Sequence, residues 1–65
     1  MENIIKIKKI ARTLTKRLLR NPTRTNERTY DNFMGELTPL QRKQVLRDGE
    51  VKTNLKRINQ LGGLR

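Results

Sequence analysis

The side chains with the clearest chemical potential in this chain are cations at helical spacing. Lys6, Lys9, Arg12, Lys16, Arg17 and Arg20 follow one another at intervals of one, three and four residues, and at about 100° per residue they gather on one side of a helix. A row of that kind holds and neutralises a polyanion. A second set lies near the other end, where Arg42, Lys43, Lys52, Lys56 and Arg57 are interspersed with Thr53, Asn59 and Gln60. Lys and Arg meet phosphate oxygens, while Thr, Asn and Gln can also read base edges.

Other chemistry is poorly supplied. The chain has no histidine to act as a base near neutrality and no cysteine to act as a nucleophile or thiolate ligand. The six acids, Glu2, Glu27, Asp31, Glu36, Asp48 and Glu50, are scattered, and the Asp48-Gly49-Glu50 spacing reads as a capping turn. Gly62-Gly63 lacks the Lys-Ser/Thr ending of a phosphate loop. The expectation is a protein that is not an enzyme, with no cofactor and no metal.

Sixteen Lys and Arg against six Asp and Glu give a net charge of +10 over 65 residues. Residues 1–26 carry eight basic and one acidic side chain, residues 27–38 one and three, and residues 39–65 seven and two. Both ends are therefore cationic and the middle is weakly acidic. Such an excess repels itself in the compact state and attracts polyanions. Apolar residues make up 32% and aromatic residues 3%, the latter being Tyr30 and Phe33, so the core must come from thin aliphatic stripes. A chain of this length forms a single domain that buries only about 60% of its unfolded surface, and without cysteine it has no disulfide to help.

The elements that position the cations follow from apolar spacing. Ile4, Ile7, Ala11, Leu14 and Leu18 recur at helical intervals, Ile10 joins them, and Ile5 and Leu19 lie to the sides. The spacing predicts an amphipathic helix over residues 3–20 that Pro22 stops. Residues 21–28 read as a polar linker. Thr25 or Asn26 then caps a short helix near 26–34 through Tyr30, Phe33 and Met34, with Gly35 just past its end. Thr38-Pro39-Leu40-Gln41 carries a capping threonine, a proline at the first helical position and a glutamine three residues after the cap. That pattern opens a helix over 39–48 that Gly49 ends in the left-handed conformation. Val51, Leu55 and Ile58 predict a last helix over 50–61, capped by Asp48 or Gly49 and terminated by Gly62-Gly63, with 62–65 as a frayed tail. The fold class is all-α: three helices with a short fourth, Tyr30, Phe33, Met34 and Leu37 filling the middle.

The last two helices, with Gly49 between them and Val45, Leu55 and Ile58 at the apolar positions, resemble a helix-turn-helix. The exposed face of the last helix then presents Lys52, Thr53, Lys56, Asn59 and Gln60. The alternative is a plain helical hairpin with a basic face.

The function expected is non-catalytic nucleic-acid binding, duplex DNA ahead of RNA, in a regulatory or accessory role, in the cytoplasm or nucleoid of a host cell. The alternative is a small basic effector of phage or mobile-element type that docks on an acidic surface of a larger machine such as a polymerase, a nuclease or the ribosome. A homodimer would also cover a thin core. A membrane ranks lower, because no apolar run approaches a span, no secretory signal is expected and the first helix lacks Trp and Phe.

Overall fold

The computed structural model describes residues 4–62, which form four α-helices: α1 (Ile4–Arg20), α2 (Arg24–Gly35), α3 (Pro39–Arg47) and α4 (Gly49–Gln60). No strand occurs among the described residues. Residue 3, expected in the first helix, and residues 63–65, expected in the tail, lie outside the described residues.

α1 is the spine. It packs against each of the other three helices, and α3 packs on α4. It buries Ile7, Ala11, Thr15 and Leu18, a stripe at steps of four, four and three. Ile10, expected within this stripe, is instead 40% exposed. The buried face centres on Ala11, which is 0% exposed and whose small side chain lets neighbouring helices approach. Ile10 then falls about a quarter-turn away, and the polar Thr15 takes an inner position. Thr15 tolerates burial because its hydroxyl proton is shared between the carbonyls of Ala11 (2.8 Å) and Arg12 (3.1 Å). The side-chain amide of buried Asn54 donates to the Thr15 oxygen at 3.0 Å. This hydrogen bond joins α1 to α4 where an aliphatic pair would otherwise sit.

The core gathers Ile7, Ala11, Met34, Leu37, Val45 and Val51, with Ile4, Tyr30, Phe33 and Leu55 packed against it. Met34 and Leu37 are buried and the two aromatic rings half-buried. The middle segment thus packs into the core from the side.

Three boundaries differ from the sequence expectation. α2 begins at Arg24, so the linker is residues 21–23 and not 21–28. The cap is Thr23, whose hydroxyl accepts from the Asn26 backbone N–H at 3.2 Å, and not Thr25 or Asn26. The polar first turn hid this helix, yet Asn26, Glu27, Tyr30, Phe33 and Met34 share its inner side. Gly35 is the last helical residue and does not lie past the end; the chain leaves through right-handed Glu36.

The third difference concerns Gly49. α3 begins as expected, with a complete capping box in which the Thr38 hydroxyl accepts from Gln41 N–H (3.2 Å) and the Gln41 side-chain oxygen accepts from Thr38 N–H (3.0 Å). It ends at Arg47, and α4 starts at Gly49 itself. The connection is Asp48 alone, extended at φ −64°, ψ 129°. The left-handed turn glycine expected at Gly49 is therefore absent, because an extended Asp48 reverses the chain. The only positive φ among the described residues is at Gly62 (+84°), which ends α4 with its N–H donating to the Asn59 carbonyl at 3.1 Å.

A Cβ added at Gly49 meets nothing within 4 Å, whereas Gly62 occupies a conformation other residues resist. Gly49→Ala is expected to stabilise the fold by up to about 1 kcal/mol. Gly62→Ala is expected to destabilise it by a similar amount. Urea denaturation of both variants checks this; a Gly49→Ala protein less stable than the parent would contradict the one-residue turn.

Candidate nucleic-acid interface

Along α1 the residues opposite the buried stripe are cations. Lys6, Lys9, Arg12, Lys16, Arg17 and Arg20 are all exposed, and helix α1 contains no acidic residue. From Lys6 to Arg20 the row extends about 21 Å at about 1.5 Å per residue. Arg17 and Arg20 occupy the last turn, where positive charge also complements the helix dipole.

These six cations are not equivalent. Arg12 reaches across to α4 and forms a two-pronged contact with Asp48, Nη2 to Oδ1 at 2.6 Å and Nε to Oδ2 at 3.0 Å. Asp48 is also the α4 cap, its Oδ2 accepting from Val51 N–H at 3.2 Å. Its side chain is only 7% exposed. The Arg12 hydrogen bond, with the Val51 N–H and the charges of Arg12 and Lys8, outweighs burial and holds the Asp48 carboxyl down at about 2. Arg12 is pushed the other way, above its ordinary value, by the same hydrogen bond and by the charge of Asp48. Expected as a phosphate contact, Arg12 already has an internal carboxylate on its guanidinium. Glu50 adds a looser layer, 3.7 Å from Arg12 Nε and 3.9 Å from Lys16 Nζ. Among the described residues, Lys6, Lys9, Arg17 and Arg20 carry no ion pair.

Helix α4 brings Lys52, Thr53, Lys56, Arg57, Asn59 and Gln60 to the surface, all exposed. Glu50, Thr53 and Arg57 follow at three- and four-residue steps and so share one edge, the edge that Glu50 turns toward Lys16. Arg57 thus lies on the edge of α4 whose first turn meets the α1 row through Glu50. The Thr53 hydroxyl donates to the Gly49 carbonyl at 2.9 Å, leaving only its oxygen to accept. On α3, Lys43 and Arg42 are exposed, and Arg42 Nη2 donates to the Leu37 carbonyl at 3.2 Å. That bond ties the end of the α2–α3 loop to α3.

Sequence reasoning missed the tie between Arg12 and Asp48. Asp48 carries a local signal as a cap three residues before Val51, but nothing local announces a partner 36 residues away. It also left out Lys8, Arg24, Arg28 and Arg47; Lys8 is half-buried and contributes to the field around Asp48.

Two concavities lie along α1. One, of about 320 Å³, is lined by Lys6, Lys9, Ile10, Thr13 and Leu14. The other, of about 450 Å³, lies where α1 turns into α2 and is lined by Thr13, Lys16, Arg17, Arg20, Asn21 and Asn26. Among the described residues no group of three or more acidic side chains is placed to hold a metal ion, and no helix is long and apolar enough to cross a membrane.

Comparison with known protein families, curated proteins and solved structures gives no match.

Because Asp48 has a lower pKa folded than unfolded, its contribution to stability is complete above the unfolded value of 3.8 and is lost as pH falls toward 2, where the folded group also takes a proton. Thermal melts are expected to fall across pH 4 to 2. Asp48→Asn keeps a capping side chain but removes the charge, so it should lower stability at pH 7 and flatten the acid limb. An unchanged acid limb would show that other carboxylates govern it.

Proposed function

We propose that this protein binds nucleic acid without catalysis, with duplex DNA ahead of RNA, in a regulatory or accessory role. The observation that carries the reading is the outer face of α1, a broad face of exposed cations with no carboxylate on the same helix. A duplex displays one negative charge per about 1.7 Å of axis. A rigid row therefore meets several phosphates together, and each one neutralised releases condensed counterions.

The placement of the aromatic residues favours a duplex over a single strand. Single-strand binders stack bases on exposed rings, whereas Tyr30 and Phe33 pack against the core. Burial also raises the Tyr30 hydroxyl above its ordinary value, with a smaller push from Asp31. In this reading Lys6, Lys9, Lys16, Arg17 and Arg20 carry the phosphate contacts, and Arg57 extends them from α4. Lys52, Lys56, Thr53, Asn59 and Gln60 form a second polar surface for phosphates or base edges. A one-residue turn at Asp48 replaces the turn glycine that a helix-turn-helix would use, so backbone contact leads the proposal and base reading is secondary.

A second reading has its own observation. The shallow groove lined by Lys6, Lys9, Ile10, Thr13 and Leu14 sets aliphatic surface between lysines, as an acidic amphipathic segment of a larger protein machine would require. A salt-tolerant complex that survives nuclease treatment would favour this reading.

Fluorescence anisotropy of labelled duplex DNA and duplex RNA, titrated across about 50–200 mM salt, tests the main reading. Affinity is expected to fall by orders of magnitude over that range. Lys6→Gln with Lys9→Gln should lower the salt slope by about one per cation removed. Arg12→Gln is expected to act chiefly on stability. No binding to either duplex at the lowest salt would overturn the proposal.

A further inference from the structure

The recess at the α1–α2 corner differs in kind from the open row. Lys16, Arg17 and Arg20 converge on one concavity of about 450 Å³, with Thr13, Asn21 and Asn26 as its remaining lining and no carboxylate among them. Neither guanidinium has an acceptor among the described residues, and Lys16 lies 3.9 Å from Glu50, at the outer limit of an ion pair. Three cationic side chains thus line one concavity, and the Lys16–Glu50 contact is the one ion pair among them within the described residues.

The Asn21–Asn26 corner that borders the recess is held by hydrogen bonds. The Asn21 N–H donates to the Arg17 carbonyl at 2.9 Å, and the Asn21 carbonyl accepts from Thr23 N–H at 2.7 Å. The Asn26 side-chain amide donates to that same Asn21 carbonyl at 2.8 Å. Buried Leu18 anchors this turn of α1 to the interior. The Asn21 carbonyl therefore already accepts two hydrogen bonds. A preorganised site loses less affinity to ordering on binding.

The charge of the recess identifies its ligand class. An internal phosphodiester carries one negative charge, whereas a phosphate monoester carries about −1.5 to −2 at pH 7. Three convergent cations suit the latter, and two arginines offer forked donors matched to its oxygens. We propose that this recess is a seat for a phosphate monoester dianion. Its source is either the terminal phosphate of a nucleic-acid strand or a free phosphate compound. The strand-end source rests on the nucleic-acid reading above, but the phosphate chemistry does not.

Two measurements on the full chain test this. In the first, isotope-labelled protein is titrated with inorganic phosphate at constant ionic strength while amide and arginine side-chain resonances are followed. Saturable shifts confined to Lys16, Arg17, Arg20, Asn21 and Asn26 are expected, and Arg17→Gln with Arg20→Gln should abolish them while the remaining spectrum stays folded. Shifts of equal size at Lys6, Lys9 and Lys52, or none, overturn the proposal. In the second, duplexes differing only in a 5′-phosphate or 5′-hydroxyl are compared. About tenfold tighter binding of the phosphorylated end, of the order of a charge-assisted hydrogen bond, and its loss in the double arginine variant, assign the site to strand ends. Local phosphate shifts without that preference assign it to a free phosphate compound. Local shifts without binding of either duplex leave the seat intact and overturn the nucleic-acid reading instead.

Discussion

Ten excess positive charges repel one another in the compact state of this chain, and one carboxylate stands where three of its helices meet. Asp48 ends α3, caps α4 and receives the Arg12 guanidinium of α1 on both oxygens. Three helices are thereby fixed relative to one another at a single residue. A cap alone contributes about 1 kcal/mol, and an exposed ion pair less. Their combination on a side chain largely withdrawn from solvent is more demanding, because an Asp48 left without Arg12 would be a poorly solvated charge. Directly below, the Thr15–Asn54 hydrogen bond repeats the constraint with neutral groups. Polar contacts therefore set the register between α1 and α4, while the aliphatic core supplies cohesion without specifying how the helices are rotated.

That division explains what could be read from the sequence. The amphipathic α1, the stop at Pro22 and the capping box at Thr38 are local patterns, and the structure contains each of them. Ile10 and Thr15 could not be assigned by periodicity, since hydropathy ranks isoleucine above threonine and nothing local reveals that Asn54 will meet Thr15 across the interface. Gly49 misled because glycine between two apolar stripes usually marks a left-handed turn, whereas an extended aspartate reverses the chain equally well and leaves glycine to begin the next helix. The start of α2 was hidden by its polar first turn, whose cap at Thr23 follows directly on Pro22.

The site divides along the same line. That the basic residues of α1 share a face was evident from spacing, because a helix with a buried stripe must expose its other side. Which of those cations remain uncommitted was not evident, since the answer depends on where Asp48 and Glu50 stand on α4. Arg12 is paired with Asp48, Lys16 lies near Glu50 while also lining the recess, and Arg17 and Arg20 have no acceptor among the described residues at the α1–α2 corner. The convergence of three cations there depends on Asn21 and Asn26 folding the corner back, a geometry that no one-dimensional pattern contains.

Making one helix serve as both spine and cationic face ties stability to ionic strength in opposite directions. The exposed row repels itself over distances comparable to the Debye length, about 8–10 Å near physiological salt, so added salt relieves strain in the free protein. The Arg12–Asp48 contact is short and partly shielded, so salt weakens it far less. An anion bound along α1 relieves the same repulsion more effectively than mobile ions, because it holds compensating charge at fixed positions. If the protein binds a polyanion as proposed, binding and folding are linked through the cations of α1: a polyanion seated on that face would stabilise the helix on which the other three pack, by mass action alone. Such a ligand would neutralise the same charge that repels itself in the compact state of the free protein.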